Sequence, residues 1–393
     1  MTSTISRAKI LTAGVLSLLL MVGIARFAYT PLLPMMQQYA KLGIVEGGWL
    51  AAINYAGYLS GAILASFISD LQFKDKLYRV GLIVAVLSTL MMGLTENFWI
   101  WAFSRYIAGL SSAAGILLGS GLILNWLMCN GHRSELGIHF SGMGLGILLP
   151  TLAIIYMGDA ISWDQQWLFL GVGGVFILIP AWCWLPPPQK VAFGPSGHMV
   201  DAPPSKRFLA IFMVAYFCAG YGYVVSTTFI VAIVNQLPSL SGMGNWSFVV
   251  LGLAASPACI LWDLIARKLG DFNALSLAYI FQIIGIIIPL VIETPAMILF
   301  GAALFGGTFI GIVSLVLTMA GRYYPTRPAK MMGKMTLSYG SAQIVAPAIT
   351  AILANYTGHY SEGLYLAAAI LAVGAVLILW LRQLEKKEAN DVA

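Results

Sequence analysis

Twelve runs of mostly apolar residues follow one another along this chain of 393 residues. They cover residues 10–36, 47–68, 78–95, 98–125, 134–157, 166–185, 208–236, 246–267, 274–292, 296–320, 331–354 and 362–381. A helix needs about 20 such residues to cross the hydrocarbon of a bilayer. In lipid each backbone N–H and C=O must find a partner inside the protein, so runs of this length predict spanning helices. Polar turns such as Lys41 to Glu46, Asp70 to Lys76 and Glu293 to Pro295 separate them. The expected fold is all-α: an integral membrane protein of twelve transmembrane helices.

Charge supports that reading. Only 9% of the residues are charged, against about 25% in a soluble domain. The net charge of +6 does not imply nucleic acid, because its distribution follows membrane topology. With the N-terminus inside, all 21 Lys and Arg except Lys41, Arg26 and Arg105 fall at the inner face. Glu46, Glu96, Asp159, Asp164, Glu293 and Glu362 then fall outside. The positive-inside rule therefore predicts that both termini are cytoplasmic. Arg7 and Lys9 before an apolar run superficially resemble a signal peptide, but the run is long and further spans follow, so an uncleaved first span is expected. Cys129, Cys183, Cys218 and Cys259 show neither metal-ligand spacing nor a disulfide framework.

The one long interruption, 186–207, opens with Pro186-Pro187-Pro188 and closes with Lys206-Arg207. It divides the chain into an N-terminal six-helix bundle (1–185), a cytoplasmic linker loop (186–207) and a C-terminal six-helix bundle (208–393). The halves repeat one another at a shift of 197 residues. Gly23 falls on Gly220, Thr30 on Thr227, Trp49 on Trp246 and Glu96 on Glu293. Gly109 falls on Gly306, Ser141 on Ser338 and Pro150 on Pro347. Six spans per repeat with a linker on the inner side predict a parallel repeat, two bundles related by a pseudo-two-fold axis along the membrane normal.

Several motifs resemble the major facilitator superfamily (MFS). Ser66, Asp70, Lys74, Lys76 and Arg79 occupy a degenerate form of its loop motif between spans 2 and 3, and Asp263, Arg267, Lys268 and Gly270 occupy the repeat of that motif. Arg105 and Gly109 match its Arg-x-x-x-Gly in span 4. Gly142-x-Gly144-x-Gly146-x-x-x-Pro150 is similar to the antiporter signature of span 5, without the Gly-Gly that usually follows the proline. More narrowly, Arg26-Phe27-Ala28-Tyr29-Thr30-Pro31-Leu32-Leu33-Pro34 and Ala219-Gly220-Tyr221-Gly222-Tyr223 resemble the YbfB/YjiJ-type branch of bacterial MFS proteins. The resemblance implies alternating access in a bacterial inner membrane, with spans 1 and 4 lining a central cavity.

A charge at mid-bilayer costs at least about 2.5–3.5 kcal/mol, so Arg26 and Arg105 need a reason to be there. Both lie roughly 10 Å below the outer end of their spans at 1.5 Å per residue. Asn54 enters span 2 at a similar depth, with Tyr58 one turn on and Tyr29 beside Arg26. In the implied fold, two guanidiniums and an amide at one level suit a planar anion; bonding to backbone carbonyls is the structural alternative. No Asp or Glu lies near mid-span, which leaves proton coupling to His139, Glu46 or a protonated substrate, if it occurs at all. The second half offers Tyr221, Tyr223, Tyr339 and Gln343 as substrate-facing groups, Tyr223 being the repeat-mate of Arg26. Asp70, Arg79, Arg267 and Lys268 are candidates for a charge latch. Gly142, Gly146, Pro150 and Pro347 are candidate points of close packing and bending.

The expectation is a secondary transporter of a small organic solute, anionic or carboxylate-bearing. It would act as a monomer in the lipid bilayer, without cofactor or metal. A broad-specificity drug or sugar efflux pump is the alternative, and a transporter-like membrane sensor is the rival from another class. No Walker, His-Glu-x-x-His or Gly-x-Ser-x-Gly motif is present, so neither nucleotide-driven transport nor an enzyme is expected.

Overall fold

The computed structural model describes residues 6–132, 136–188, 204–240, 242–323 and 328–392. Arg133, Lys190, Arg327 and most of the expected linker therefore lie outside the described residues. Contacts divide the chain into two units, Met1–Pro195 and Ser196–Ala393, and among the described residues every regular element is helical.

The first unit holds α1 (Arg7–Tyr39), α2 (Ile44–Phe67), α3 (Leu71–Gly93), α4 (Phe98–Cys129), α5 (Gly137–Met157) and α6 (Trp163–Cys183). The second holds α7 (Lys206–Gln236), α8 (Gly244–Ala255 and Ala258–Leu269), α9 (Asp271–Val291), α10 (Pro295–Tyr323), α11 (Met331–Thr357) and α12 (Ser361–Leu384). Side-chain caps start several of them. Ser6 accepts from Lys9 N, and Asn97 accepts from Trp99 N and Ile100 N. Asp70 accepts from Gln72 N at 2.9 Å, and this cap starts α3 at Leu71. Lys74, Lys76 and Arg79, expected at or before the helix start, are thereby drawn into its first turns. Span 8 also differs from expectation: it bends by 49° at Ser256-Pro257, where a proline supplies no N–H to the preceding turn.

Within each unit the helices pair in the same way. In the first, α1 packs on α5, α2 on α4 and α3 on α6; in the second, α7 packs on α11, α8 on α10 and α9 on α12. Small residues set the closest crossings. A Cβ on Gly109 would run into the Asn54 carbonyl of α2, and a Cβ on Gly306 into the Leu251 carbonyl of α8. Asn54 and Leu251 are themselves 197 residues apart, so one crossing has been kept in both repeats. Gly23 of α1 and Gly146 of α5 meet backbone to backbone in the same manner.

Two places depart from α-helical winding. Leu19–Phe27 in α1 and Ala114–Gly119 in α4 are π-helical. Their repeat-mates in α7 and α10 are α-helical throughout. A π turn lets each carbonyl reach five residues ahead, and such segments gather at functional sites.

The crossing makes a testable contrast between neighbours. Gly306→Ala should lower the thermal midpoint by several degrees, since overpacking costs about 1–3 kcal/mol. Gly307→Ala meets nothing within 4 Å and should leave the midpoint unchanged or raise it, because alanine favours helix by about 1 kcal/mol. Thermal-shift measurement on the purified protein reads both.

Candidate functional site

The first unit concentrates its buried polar groups where α4 meets α1, and the local sequence of α1 explains why. Pro31 and Pro34 bring no N–H into that helix. With i to i+5 winding, the Arg26 carbonyl would look to the nitrogen of Pro31, which cannot donate. Arg105 reaches over from α4 and donates to two adjacent carbonyls there. Its Nη2 donates to the Arg26 carbonyl at 3.3 Å and its Nη1 to the Ala25 carbonyl at 3.0 Å. Ser112, two turns further along α4 on the same face, donates to the Met21 carbonyl at 2.7 Å.

The next face of α4 does the same for α3: Ser104 donates to the Ser88 carbonyl at 2.6 Å and Ser111 to the Gly81 carbonyl at 2.8 Å. Asn54 of α2 completes the stitching by donating from Nδ2 to the Arg105 carbonyl at 2.8 Å. The α1 backbone is therefore held by side chains, chiefly by Arg105.

Around this seam the aromatic rings take up the charge. The Arg105 guanidinium carbon lies 4.5 Å from the Tyr29 ring centre, and Tyr29 is fixed by donating from its hydroxyl to the Gly47 carbonyl at 2.8 Å. The Arg26 guanidinium carbon lies 4.3 Å from the ring centre of Tyr55 and 5.0 Å from that of Tyr58. Both rings stand on α2. A cation over an aromatic face gains about 2 kcal/mol or more when desolvated. Two such contacts are of the size needed to offset a mid-bilayer charge. Both arginines are buried, with 5% and 2% of their surface exposed, and Arg105 Nε and Asn54 Oδ1 have no hydrogen-bond partner.

In the second unit the corresponding positions form a stack of rings. Tyr216 stacks on Tyr339 at 4.5 Å, Tyr339 on Tyr223 at 5.8 Å, Tyr223 on Phe309 at 5.0 Å and Phe309 on Phe305 at 5.7 Å. Gln343, one turn beyond Tyr339, is buried with Oε1 unpartnered. Tyr221 is buried with its hydroxyl unpartnered and has no place in the stack.

The sequence-selected residues therefore sort into groups. Arg26, Tyr29, Asn54, Tyr58 and Arg105 come together in the first unit, and Tyr223, Tyr339 and Gln343 in the second. Arg79 pairs with Asp75 at 2.9 Å and donates to the Trp182 and Leu185 carbonyls, while Asp70 serves as a cap. Arg267 pairs with Asp263 at 2.7 Å on the exposed surface of α8. Sequence reading missed Tyr55, Ser112, Phe305, Phe309 and Tyr216. Tyr55 was detectable as the neighbour of Asn54, and Ser112 as the residue seven after Arg105. Among the described residues no group of His, Cys, Asp and Glu could hold a metal ion.

The comparisons with known proteins agree with this architecture. The family model described as the uncharacterised MFS-type transporter YbfB matches residues 18–379. The chain belongs to that family of MFS transporters. It is 22% identical over 386 residues to the probable sulfoacetate transporter SauU of Cupriavidus necator, covering 90% of this chain and 87% of that one. It is also 22% identical over 135 residues to the niacin transporter NiaP of Acinetobacter baylyi, covering 34% and 30% of the two chains. The crystal structure of the nucleoside transporter NupG superposes with a TM-score of 0.72 at 11% identity, covering 95% of this chain and 98% of that one, a likeness of fold. This protein is thus a multi-pass membrane transporter of the MFS type.

The α4–α1 seam makes a separable prediction. Arg105→Ala should strongly destabilise the protein, since hydrogen bonds to charged groups are worth about 1.5–3 kcal/mol each. Adding Pro31→Ala, which restores an N–H opposite the Arg26 carbonyl, should recover part of that loss. A double-mutant cycle on thermal or denaturant midpoints should show coupling of about 0.5–3 kcal/mol; additive effects would dissociate Pro31 from Arg105.

Proposed function

We propose that this transporter is a secondary carrier of a small organic anion, and that the anionic group is gripped by Arg26. The observation that carries the reading is a buried guanidinium laid over Tyr55 and Tyr58 in spans that hold no carboxylate beyond the first turn of α2. The sequences of α1, α4 and α5 contain no Asp or Glu, and the only one in α2 is Glu46 in its first turn. A cationic cargo would meet two buried positive charges there. A carboxylate or sulfonate would meet a flat fork of donors of matching geometry.

Arg105 takes a different role in this reading. Its Nη donors are committed to the α1 backbone, so we assign it as a positioning residue, with Tyr29 and Asn54 supporting it. Within the second unit, the Tyr223–Tyr339 stack and the unpartnered oxygen of Gln343 suit a flat unsaturated group, which favours an aromatic or amphipathic acid. The two relatives are named for sulfoacetate and niacin, both small acids. The chain has no nucleotide-binding motif, so the driving force would be an ion or substrate gradient. The close contacts at Gly142 and Gly146 and the prolines Pro150 and Pro347 within α5 and α11 are proposed as the points where helices yield during alternating access.

Proteoliposome uptake of a panel of labelled carboxylates and sulfonates, sulfoacetate and niacin included, tests this. Removing one partner of a buried charge pair costs about 2–5 kcal/mol, so Arg26→Ala should weaken anion transport about thirtyfold or more. Arg26→Lys should recover part of it. Anion transport that survives Arg26→Ala unchanged would refute the assignment.

A further inference from the structure

Carriers driven by a proton gradient need a buried group that binds and releases a proton, and no span of the first unit offers a mid-span carboxylate. The one fully buried imidazole among the described residues is His139, at 0% exposure and two residues into α5. Histidine is the side chain whose ordinary titration falls near neutral pH.

His139 stands where three helices meet. Its Nε2 lies 3.0 Å from the Ser120 hydroxyl of α4. A Cβ on Gly14 of α1 would fall 2.5 Å from its Nδ1, and the Phe140 ring lies beside it at 5.2 Å.

The Ser120 hydroxyl stands between the ring and the Ile116 carbonyl. Ser120 donates its single hydroxyl proton to the Ile116 carbonyl, inside the π segment of α4. With that proton given to Ile116, an imidazole carrying its own proton on Nε2 donates to Ser120. Nδ1 then presents a bare lone pair, and it is buried without a hydrogen-bond partner. The group facing it is the Gly14 backbone. The Gly14 carbonyl already accepts from Ser17 at 2.8 Å, and a carbonyl has a second lone pair to offer.

We propose that His139 is the proton-binding site of this carrier: Nδ1 takes up a proton from water, forming an N–H that donates to the Gly14 carbonyl and ties α5 to α1. Ser120 holds the other side of the ring. Proton binding thereby acts on the α1–α5 contact and, through Ser120 and Ile116, on the π segment of α4.

From α1 the group facing the ring is Gly14, and from α4 Ser120 with Ile123 beside it, none of which is charged. Ionisable groups toward that end of these elements include Arg7 and Lys9 of α1, the Lys9 Nζ sitting 5.6 Å over the Trp184 ring, and His132 after α4, which stacks on Trp126. Glu135, one turn before His139, lies outside the described residues. The inference rests on the chain being a carrier and is independent of the Arg26 anion site.

The direct test uses the proton itself as ligand. The full-length protein in nanodiscs, labelled with 15N in its four histidines (His132, His139, His198, His359) and with 13C at glycine carbonyls, is titrated by NMR over about pH 4 to 8. His139 is assigned by loss of its signals in H139Q. The expected result is an Nε2–H tautomer at the alkaline end, protonation of Nδ1 within the range, and a Gly14 carbonyl shift with the same midpoint. In S120A the neutral ring should lose its tautomer preference. A His139 ring that stays neutral over the whole range, or that titrates without moving Gly14, would overturn the proposal.

A second arm uses any panel anion that the wild type carries. A gradient of one pH unit supports about tenfold accumulation for one proton per cargo. H139Q should lose that tenfold factor while retaining counterflow exchange. Gradient-driven accumulation that survives in H139Q also overturns the proposal. Because the NMR arm needs no cargo, failure of the anion reading leaves it decisive.

Discussion

The first unit depends on the forked donation from Arg105 to the carbonyls of Ala25 and Arg26. A helix in lipid cannot leave a carbonyl bare, because each unsatisfied group costs several kcal/mol. Pro31 nevertheless removes a donor just past the π-wound stretch Leu19–Phe27. The guanidinium resolves this by serving two adjacent carbonyls at once, which the single ammonium of a lysine would do poorly. Its charge is carried by the dipoles of those carbonyls and by the Tyr29 face. An arginine that looks like a ligand-binding group by sequence thus spends two of its donors on a neighbouring helix. Arg26, in that same segment, lies over Tyr55 and Tyr58.

The second repeat serves as a natural control. The repeat-mates of Pro31, Arg26, Arg105 and Ser112 are Thr228, Tyr223, Ala302 and Phe309. With an N–H restored at Thr228, α7 stays α-helical, and no arginine is needed opposite it. The space is filled by the Tyr223, Phe309 and Phe305 rings instead. The close crossing at Gly109 and its mate Gly306 survives in both. The repeat has kept its packing geometry while one copy became polar and π-wound and the other aromatic and α-helical. Such asymmetry at matched positions is what a recognition function added to a shared scaffold would produce.

Much of this was legible in the residues. Run length, charge placement and the 197-residue shift determine a twelve-span, two-bundle protein, because lipid leaves few other ways to satisfy the backbone. The sequence also singled out Arg26 and Arg105 by their cost. What it could not separate was their roles, since the donors of Arg105 go to carbonyls that every residue possesses and that carry no sequence signature. The bend at Ser256-Pro257 and the cap at Asp70 were written in residues whose local effect competes with a strong apolar pattern. The π segments at Leu19–Phe27 and Ala114–Gly119 carried no comparable signal in the residues.

Amide hydrogen exchange along α1 tests the central claim most directly, because it reads backbone protection without requiring a cargo. The wild type, Arg105→Gln and Arg26→Gln are compared in the same nanodiscs. If Arg105 holds the α1 backbone, exchange should accelerate in peptides covering residues 22–30 in Arg105→Gln and stay near wild type in Arg26→Gln. Equal protection in all three, or loss of protection only in Arg26→Gln, would contradict the account.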